Sequence, residues 1–270
     1  MIGQEYLIKH LDSFTIGTFP HTSLFIGPEG CGKHTLVNNI SSRLGVQLID
    51  VTELLGSETF EDMLHDPVVK MYLINVSNLN IKEQGLVCTI LEDTSITSFI
   101  SLIASNPAWL SSSIIDNCTV FRFNAYTNEE LGNFIPVGIE DQDLAFHVAP
   151  TPGTIKNINN SVLIILKNIC TNIIYNINNI NFTNLLEVAD NIDYCGEYPD
   201  KPSANEFLNC MDYMYLTQAT KQAEDNIIVD TFYSSITKYY LGMISNNKVD
   251  KKTLIERYII DIWNHAARKS

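Results

Sequence analysis

Residues 24–35, with the sequence LFIGPEGCGKHT, have the residue types and spacing that suit phosphate chemistry. An apolar run leads into a loop containing Gly27, Gly30 and Gly32, and Lys33 follows directly. Glycines let successive backbone N–H groups curl around a phosphate, and the N-terminus of a following helix adds its positive dipole end. The lysine can then reach the outer phosphates. The spacing G-x-x-x-x-G-K therefore predicts a strand, a phosphate-binding loop (P-loop) and a helix, in that order.

The position after the lysine departs from this pattern because it holds His34, where Ser or Thr normally gives a hydroxyl to Mg²⁺. Thr35 is one residue late, and one helical step turns a side chain by about 100°. The loop is thus predicted to hold phosphate but not Mg²⁺, and we expect His34 to be buried against the sheet. The sequence leaves open whether ATP or ADP is bound. The predicted nucleotide-binding residues are Gly27, Pro28, Glu29, Gly30, Cys31, Gly32, Lys33, His34, Thr35 and Asn106.

Composition excludes several classes of protein. A chain of 270 residues with 45% hydrophobic and 18% charged residues is globular and long enough for two or three domains. No apolar run approaches the roughly 20 residues of a membrane helix, and no signal peptide is recognisable, so we expect a cytoplasmic protein. The six scattered cysteines show no Cys-x-x-Cys, which predicts neither zinc nor disulfides. A net charge of -14 favours protein partners, with DNA contacted only indirectly.

Apolar periodicity predicts an α/β region followed by a helical one. Apolar strands at 24–26, 46–51, 71–76 and 97–104 alternate with helical patterns, and a β-rich run at 114–123 closes the region. This alternation is typical of a parallel sheet covered on both faces. After Asn124 only helical patterns follow, the longest at 161–177, 205–222, 226–244 and 250–268. We predict an α/β P-loop domain with a parallel sheet (residues 1–124), a small helical lid (125–160) and a C-terminal all-α domain (161–270).

Further motifs follow in a fixed order along the first 158 residues. They are Ile2-Gly3-Gln4, MYLINVSNL at 71–79, EQGLVCTILED at 83–93, LIASNPAWLSSSIIDNCTVFRF at 102–123 and TPGTIKNI at 151–158. With the P-loop, this series resembles the clamp-loader branch of the AAA+ proteins, above all the delta-prime subunits of bacterial DNA polymerase III. The resemblance implies an AAA+ fold whose C-terminal helices form a shared collar. It also implies a hetero-oligomer with clamp-loader ATPase subunits and the sliding clamp, acting in DNA replication.

Departures from the family's motifs decide the predicted mechanism. Asn75-Val76 stands where the family's Walker B Asp-Glu would hold Mg²⁺ and orient the attacking water. Asp116-Asn117-Cys118 replaces the Ser-Arg-Cys that supplies an arginine finger, a group worth roughly 10³ or more in rate. Gly153 stands where catalytic subunits carry the sensor-2 arginine, whereas Asn106 keeps the sensor-1 position. These losses predict a non-hydrolysing accessory subunit that acts as a scaffold.

Two other functions stay open from the sequence. One is a weak AAA+ ATPase in DNA replication or repair that uses Thr35 and Asn75 as makeshift metal ligands. The other is an AAA+-derived protein-binding adaptor unconnected with a clamp. The roles of two asparagines are open too, since Asn75 and Asn106 both suit capping of backbone groups at a strand end. Heavy use of asparagine is compatible with an AT-rich genome, so the expected setting is a bacterial or a phage-infected cell.

Overall fold

The computed structural model describes residues 3–177, 190–194, 198, 200–224, 231–244 and 249–268. Its contacts divide the chain into two compact units. The first, called here the α/β unit, comprises Met1–Glu130 and Thr151–Gly153. The second, the helical unit, comprises Leu131–Pro150 and Thr154–Ser270. The separation of a lid from a collar stays a prediction, and Ile2 of the N-terminal motif lies outside the described residues.

Strands and helices alternate through the first 132 residues. Their bounds are α1 Glu5–Asp12, β1 Thr22–Ile26, α2 Lys33–Leu44, β2 Gln47–Asp50, α3 Glu58–Leu64, β3 Lys70–Asn75, α4 Ile81–Glu92, β4 Phe99–Ala104, α5 Ser112–Asp116, β5 Thr119–Arg122 and α6 Asn128–Gly132. The five strands form one sheet in the order β2-β3-β4-β1-β5, and every neighbouring pair is parallel. Because carboxyl ends of parallel strands meet at one edge, the segments after β1, β3 and β4 emerge together there.

Both faces of this sheet are covered by apolar packing, as the continuous apolar strands predict. Successive strand residues point to opposite faces, so Leu24 and Phe25 enter different clusters. Leu24 packs in a cluster with residues of α3 and α4, among them Phe60 and Val87. Phe25 packs in a cluster with residues of α1 and α2, including Leu36. The predicted P-loop α/β fold with a parallel sheet and an all-helical C-terminal region is thus confirmed.

The predicted β-rich run at 114–123 is wrong in its first half. Ile114 lies in α5 and is fully buried, and β5 begins only at Thr119. A short apolar run cannot separate a helical turn from the start of a strand by periodicity alone. Here Asn117 closes the turn, because its Nδ2 donates to the Ser113 carbonyl at 3.0 Å.

The helical unit consists of packed helices after the sheet. Their bounds are α7 Gln142–Val148, α8 Pro152–Ile155 (which begins in the α/β unit), α9 Asn160–Asn176, α10 Ala204–Glu224, α11 Phe232–Ile244 and α12 Lys251–Ala267. Helix α10 packs against α7, α9, α11 and α12. Its buried Asp212 accepts one hydrogen bond from Ser234 Oγ at 3.2 Å and pairs with His147 Nε2 at 3.3 Å. Residues 226–230 of the helix predicted at 226–244 lie outside the described residues. Among the described helices, none is long and apolar enough to cross a membrane.

Candidate phosphate-binding site

Every backbone carbonyl of the P-loop from Gly27 to Gly32 accepts a hydrogen bond from the chain itself. The donors, in the order of these carbonyls, are Lys33 Nζ (2.6 Å), Lys33 Nζ again (2.8 Å), Thr151 Oγ1 (2.9 Å), Gly153 N (2.9 Å), Tyr126 Oη (2.8 Å) and Leu36 N (2.9 Å). Because these carbonyls are already engaged, the groups that can bind a ligand are hydrogen-bond donors. They are the Lys33 ammonium and the first N–H groups of α2, which have no partner within the helix. Such a set of donors suits an anion.

Lys33 is held inside the loop with its charge directed at acceptors. Its side chain is buried, and this burial lowers its pKa. An ammonium has three protons; two go to the Gly27 and Pro28 carbonyls, and Cys31 Sγ lies 3.9 Å away as a weak third acceptor. Burial raises the pKa of Cys31, which keeps it a neutral thiol. A phosphate oxygen is a stronger acceptor than a thiol, so it can take that third proton while both carbonyl bonds remain. The loop therefore fits a phosphate group.

His34 and Thr35 are exposed, so the expected burial of His34 against the sheet is wrong. The buried face of α2 consists of Lys33, Leu36, Val37 and Ile40, which is the i, i+3, i+4, i+7 spacing of one helical face. Positions 34 and 35 fall off that face. The His34 side chain is 61% exposed, and its Nε2 lies 3.9 Å from Asp50 Oδ2 at the end of β2.

At the predicted Walker B position, the polar groups form hydrogen bonds within the protein itself. Asn75 Oδ1 accepts the Ser77 N–H at 3.1 Å, and the Asn75 N–H donates to Thr52 Oγ1 at 2.9 Å. The next residue, Val76, is 1% exposed and belongs to the core cluster under α3 and α4. Hence Asn75 caps the strand end, as one alternative from the sequence supposed. No group of three or more metal-binding side chains occurs in the described part of the chain, and these residues do not fit Mg²⁺.

The two other motif asparagines also contact their own chain. Asn106 follows β4, and its Oδ1 caps a short turn by accepting the Ala108 N–H at 2.9 Å. A further contact of Asn106 to a γ-phosphate stays a prediction. Asn117, at the predicted arginine-finger position, donates from Nδ2 to the Ser113 carbonyl and lies 3.4 Å from Glu92 Oε1. An amide in this place carries no charge that could stabilise a neighbour's reaction.

The sequence motif at the N-terminus has a structural role that residue types alone do not reveal. Gln4 is buried and forms a two-way pair with the backbone of Asn124, with Nε2 donating to its carbonyl and Oε1 accepting its N–H, both at 3.0 Å. A Cβ on Gly3, whose φ is +79°, would come within 2.8 Å of the Tyr126 ring. Burial raises the pKa of Tyr126, which keeps its hydroxyl protonated as the donor to Cys31. Gly3 and Gln4 thus position the segment that supports the P-loop.

No family model and no curated protein matches this sequence. Among solved structures, the RuvB Holliday junction branch migration motor of Thermotoga maritima shares 19% identity, covering 86% of this chain and 85% of that chain, with a TM-score of 0.45. Two variants of the same protein reach TM-scores of 0.47 at 18% and 19% identity, covering 86% and 87% of this chain and 83% and 85% of theirs. The fold described above rests on the strand order and registers and not on this likeness.

Proposed function

We propose that this chain is a non-hydrolysing AAA+ accessory subunit of a DNA polymerase sliding-clamp loader, similar to delta-prime, that acts as a scaffold beside ATPase subunits. The observation that supports the proposal most is the state of the Walker B position. The side-chain oxygen of Asn75 accepts a hydrogen bond from the Ser77 N–H, and Val76 is buried in the core. Neither residue can hold Mg²⁺ or activate water, so the machinery for hydrolysis is missing on the chain's own side.

The chain also lacks the residue that would assist ATP hydrolysis in an adjacent subunit. A scaffold that supplied an arginine finger would support hydrolysis in an adjacent subunit, but the finger position holds Asn117, bonded to Ser113 and close to Glu92. The proposed contribution to a ring or spiral is therefore geometric. The chain would provide a fixed end-piece against which the motor subunits close.

The P-loop retains a use in this proposal. Lys33 and the N-terminus of α2 would hold the phosphates of ATP or ADP without Mg²⁺, because phosphate fits the loop whereas its metal ligands are lost. A bound nucleotide would add fixed negative charge to the loop and would not be consumed. The weak-ATPase alternative is favoured by no observation, since Thr35 is exposed and Asn75 is engaged.

The proposed partners are clamp-loader ATPase subunits and the sliding clamp, in a hetero-oligomer assembled through residues 161–270. The net charge of -14 supports protein partners over direct DNA binding. The proposed setting is a bacterial or phage-infected cell.

Affinity purification of the full chain from its source cells, with identification of what it retains, tests this assignment. The expected result is recovery of an ATPase subunit and a ring-shaped clamp, with an unrelated tagged bait recovering neither. Recovery of a stable complex without either protein would instead support the adaptor. ATP turnover by the chain alone would support the weak ATPase.

A further inference from the structure

The segment Thr151–Gly153, called here the strap, lies in a notable place along the chain. Residues before it and after it belong to the helical unit, yet these three belong to the α/β unit. Thr151 is fully buried there. The strap therefore packs within the α/β unit, although the residues on either side of it in the sequence belong to the helical unit.

The strap forms hydrogen bonds with two consecutive residues of the P-loop, Glu29 and Gly30. Thr151 Oγ1 donates to the Glu29 carbonyl and the Gly153 N–H donates to the Gly30 carbonyl, each at 2.9 Å. A Cβ on Gly153 would lie 2.7 Å from Gly30 Cα and 2.9 Å from Gly30 O. Both of these atoms belong to backbone, which cannot swing aside as a flexible side chain can. Gly153 is thus the residue that lets the strap approach this closely.

Gly30 lies in the flexible part of the loop. Its φ of +74° is a left-handed conformation, and a loop of three glycines has many other conformations available to it. The carbonyls before and after this pair are fixed by Lys33 and Tyr126. The strap fixes the two carbonyls in the middle of the loop, those of Glu29 and Gly30.

We propose that the strap is a built-in clip that keeps the P-loop in its phosphate-binding shape whether or not nucleotide is bound. The proposal rests on the proposed function in one respect: a scaffold needs one constant shape, whereas a motor changes shape as the nucleotide is hydrolysed. In this chain, Thr151 and Gly153 hold the P-loop in a fixed conformation that a bound ligand could otherwise impose.

Hydrogen exchange of the full chain, followed by mass spectrometry of peptides covering residues 27–36, tests the clip. The variants are Gly153→Ala, which inserts a methyl group into the 2.7 Å contact, and Thr151→Val, which removes the hydroxyl donor but keeps a similar shape. The matched controls are Gly85→Ala, where an added Cβ meets nothing within 4 Å, and Thr151→Ser, which keeps the hydroxyl. Without nucleotide, both test variants are expected to exchange in this peptide roughly five- to tenfold faster than the natural chain. Both controls are expected to match it, and peptides of β3 are expected to be unchanged in all.

Two results would overturn the clip. One is natural-chain exchange in residues 27–36 that is fast until ADP is added and slow afterwards, because the ligand would then order the loop. The other is unchanged exchange in the test variants; should Gly153→Ala not fold, Thr151→Val alone decides, since it adds no clash. Failure of the proposed function would be seen separately, as ATP turnover or as missing clamp-loader partners, and neither changes the exchange of this loop.

Discussion

The side-chain oxygen of Asn75 accepts the backbone N–H of Ser77 at 3.1 Å, immediately after β3 ends. Ser77 Oγ in turn accepts the Ser105 N–H at 3.0 Å, which links the ends of β3 and β4. Polar groups at the edge where a P-loop protein would hold its metal are thus used to tie strand ends together. The same edge can still present donors to a phosphate through Lys33.

Restoring the catalytic glutamate is expected to damage the fold and not to create an ATPase. Val76→Glu would place a carboxylate in an apolar cluster in which Val76 is 1% exposed. We expect a loss of about 3 kcal/mol or more in the free energy of unfolding, measured by denaturant titration, because a buried charge there has no partner. Asn75→Asp, which sits at the half-exposed strand end, is the control and should cost under about 1 kcal/mol. A Val76→Glu variant as stable as the natural chain would show that the site is more open than described.

Substitutions at the adjacent residues Lys33 and His34 are expected to have very different effects on the affinity for ADP. Lys33→Ala removes the buried ammonium and should weaken ADP binding at least tenfold by calorimetry, since a charge-assisted hydrogen bond is lost. His34→Ala alters a side chain that is 61% exposed and should change the affinity by less than about twofold. Equal losses in the two variants would mean that His34 takes part in binding. An unchanged Lys33→Ala would mean that the loop does not bind phosphate.

Nucleotide binding is expected to be independent of Mg²⁺. With Asn75 engaged by Ser77 and with Thr35 off the buried face of α2, the chain offers no ligand set for the ion. The dissociation constant of ADP should agree within about twofold between buffers with Mg²⁺ and with EDTA. Affinity that rises tenfold or more with Mg²⁺ would contradict the account of these two positions.

The pH dependence of ADP binding should reflect the pKa of Lys33, which burial lowers from the ordinary value of 10.5. Binding should weaken as the pH rises through the lowered pKa, because the ammonium loses its proton. The unfolded chain holds that proton more tightly than the folded chain does. Over this range Lys33 therefore raises the stability of the fold as the pH rises, so loss of binding is separable from unfolding. Affinity that stays constant up to pH 10.5, by calorimetry with circular dichroism as the folding check, would contradict this role.

The strands and the P-loop could be predicted because their signals are local. Apolar runs such as Met71–Ile74 are long enough to be assigned, and Gly32-Lys33 begins α2. Contacts between distant residues could not be predicted. The pairing of Gln4 with Asn124 and the fit of Gly153 against Gly30 depend on how the chain returns to the sheet, which no periodicity encodes.

The exposure of His34 was missed for a different reason. The motif drew attention to the residue that should bind Mg²⁺, whereas the apolar spacing of Leu36, Val37 and Ile40 already assigned the buried face of α2. Extending that spacing back by three residues from Leu36 selects Lys33 and excludes His34. Periodicity was the better guide here.

Steady-state ATP hydrolysis by the purified chain, alone and with its partner subunits, is the decisive test of the proposal that this chain does not hydrolyse nucleotide. No turnover above background is expected from the chain alone. In the complex, Lys33→Ala of this chain is expected to leave the rate unchanged, because the partners carry out the hydrolysis. If the chain alone hydrolysed ATP and Lys33→Ala abolished this activity, the proposal that Asn75 and Val76 cannot support catalysis at this site would be contradicted.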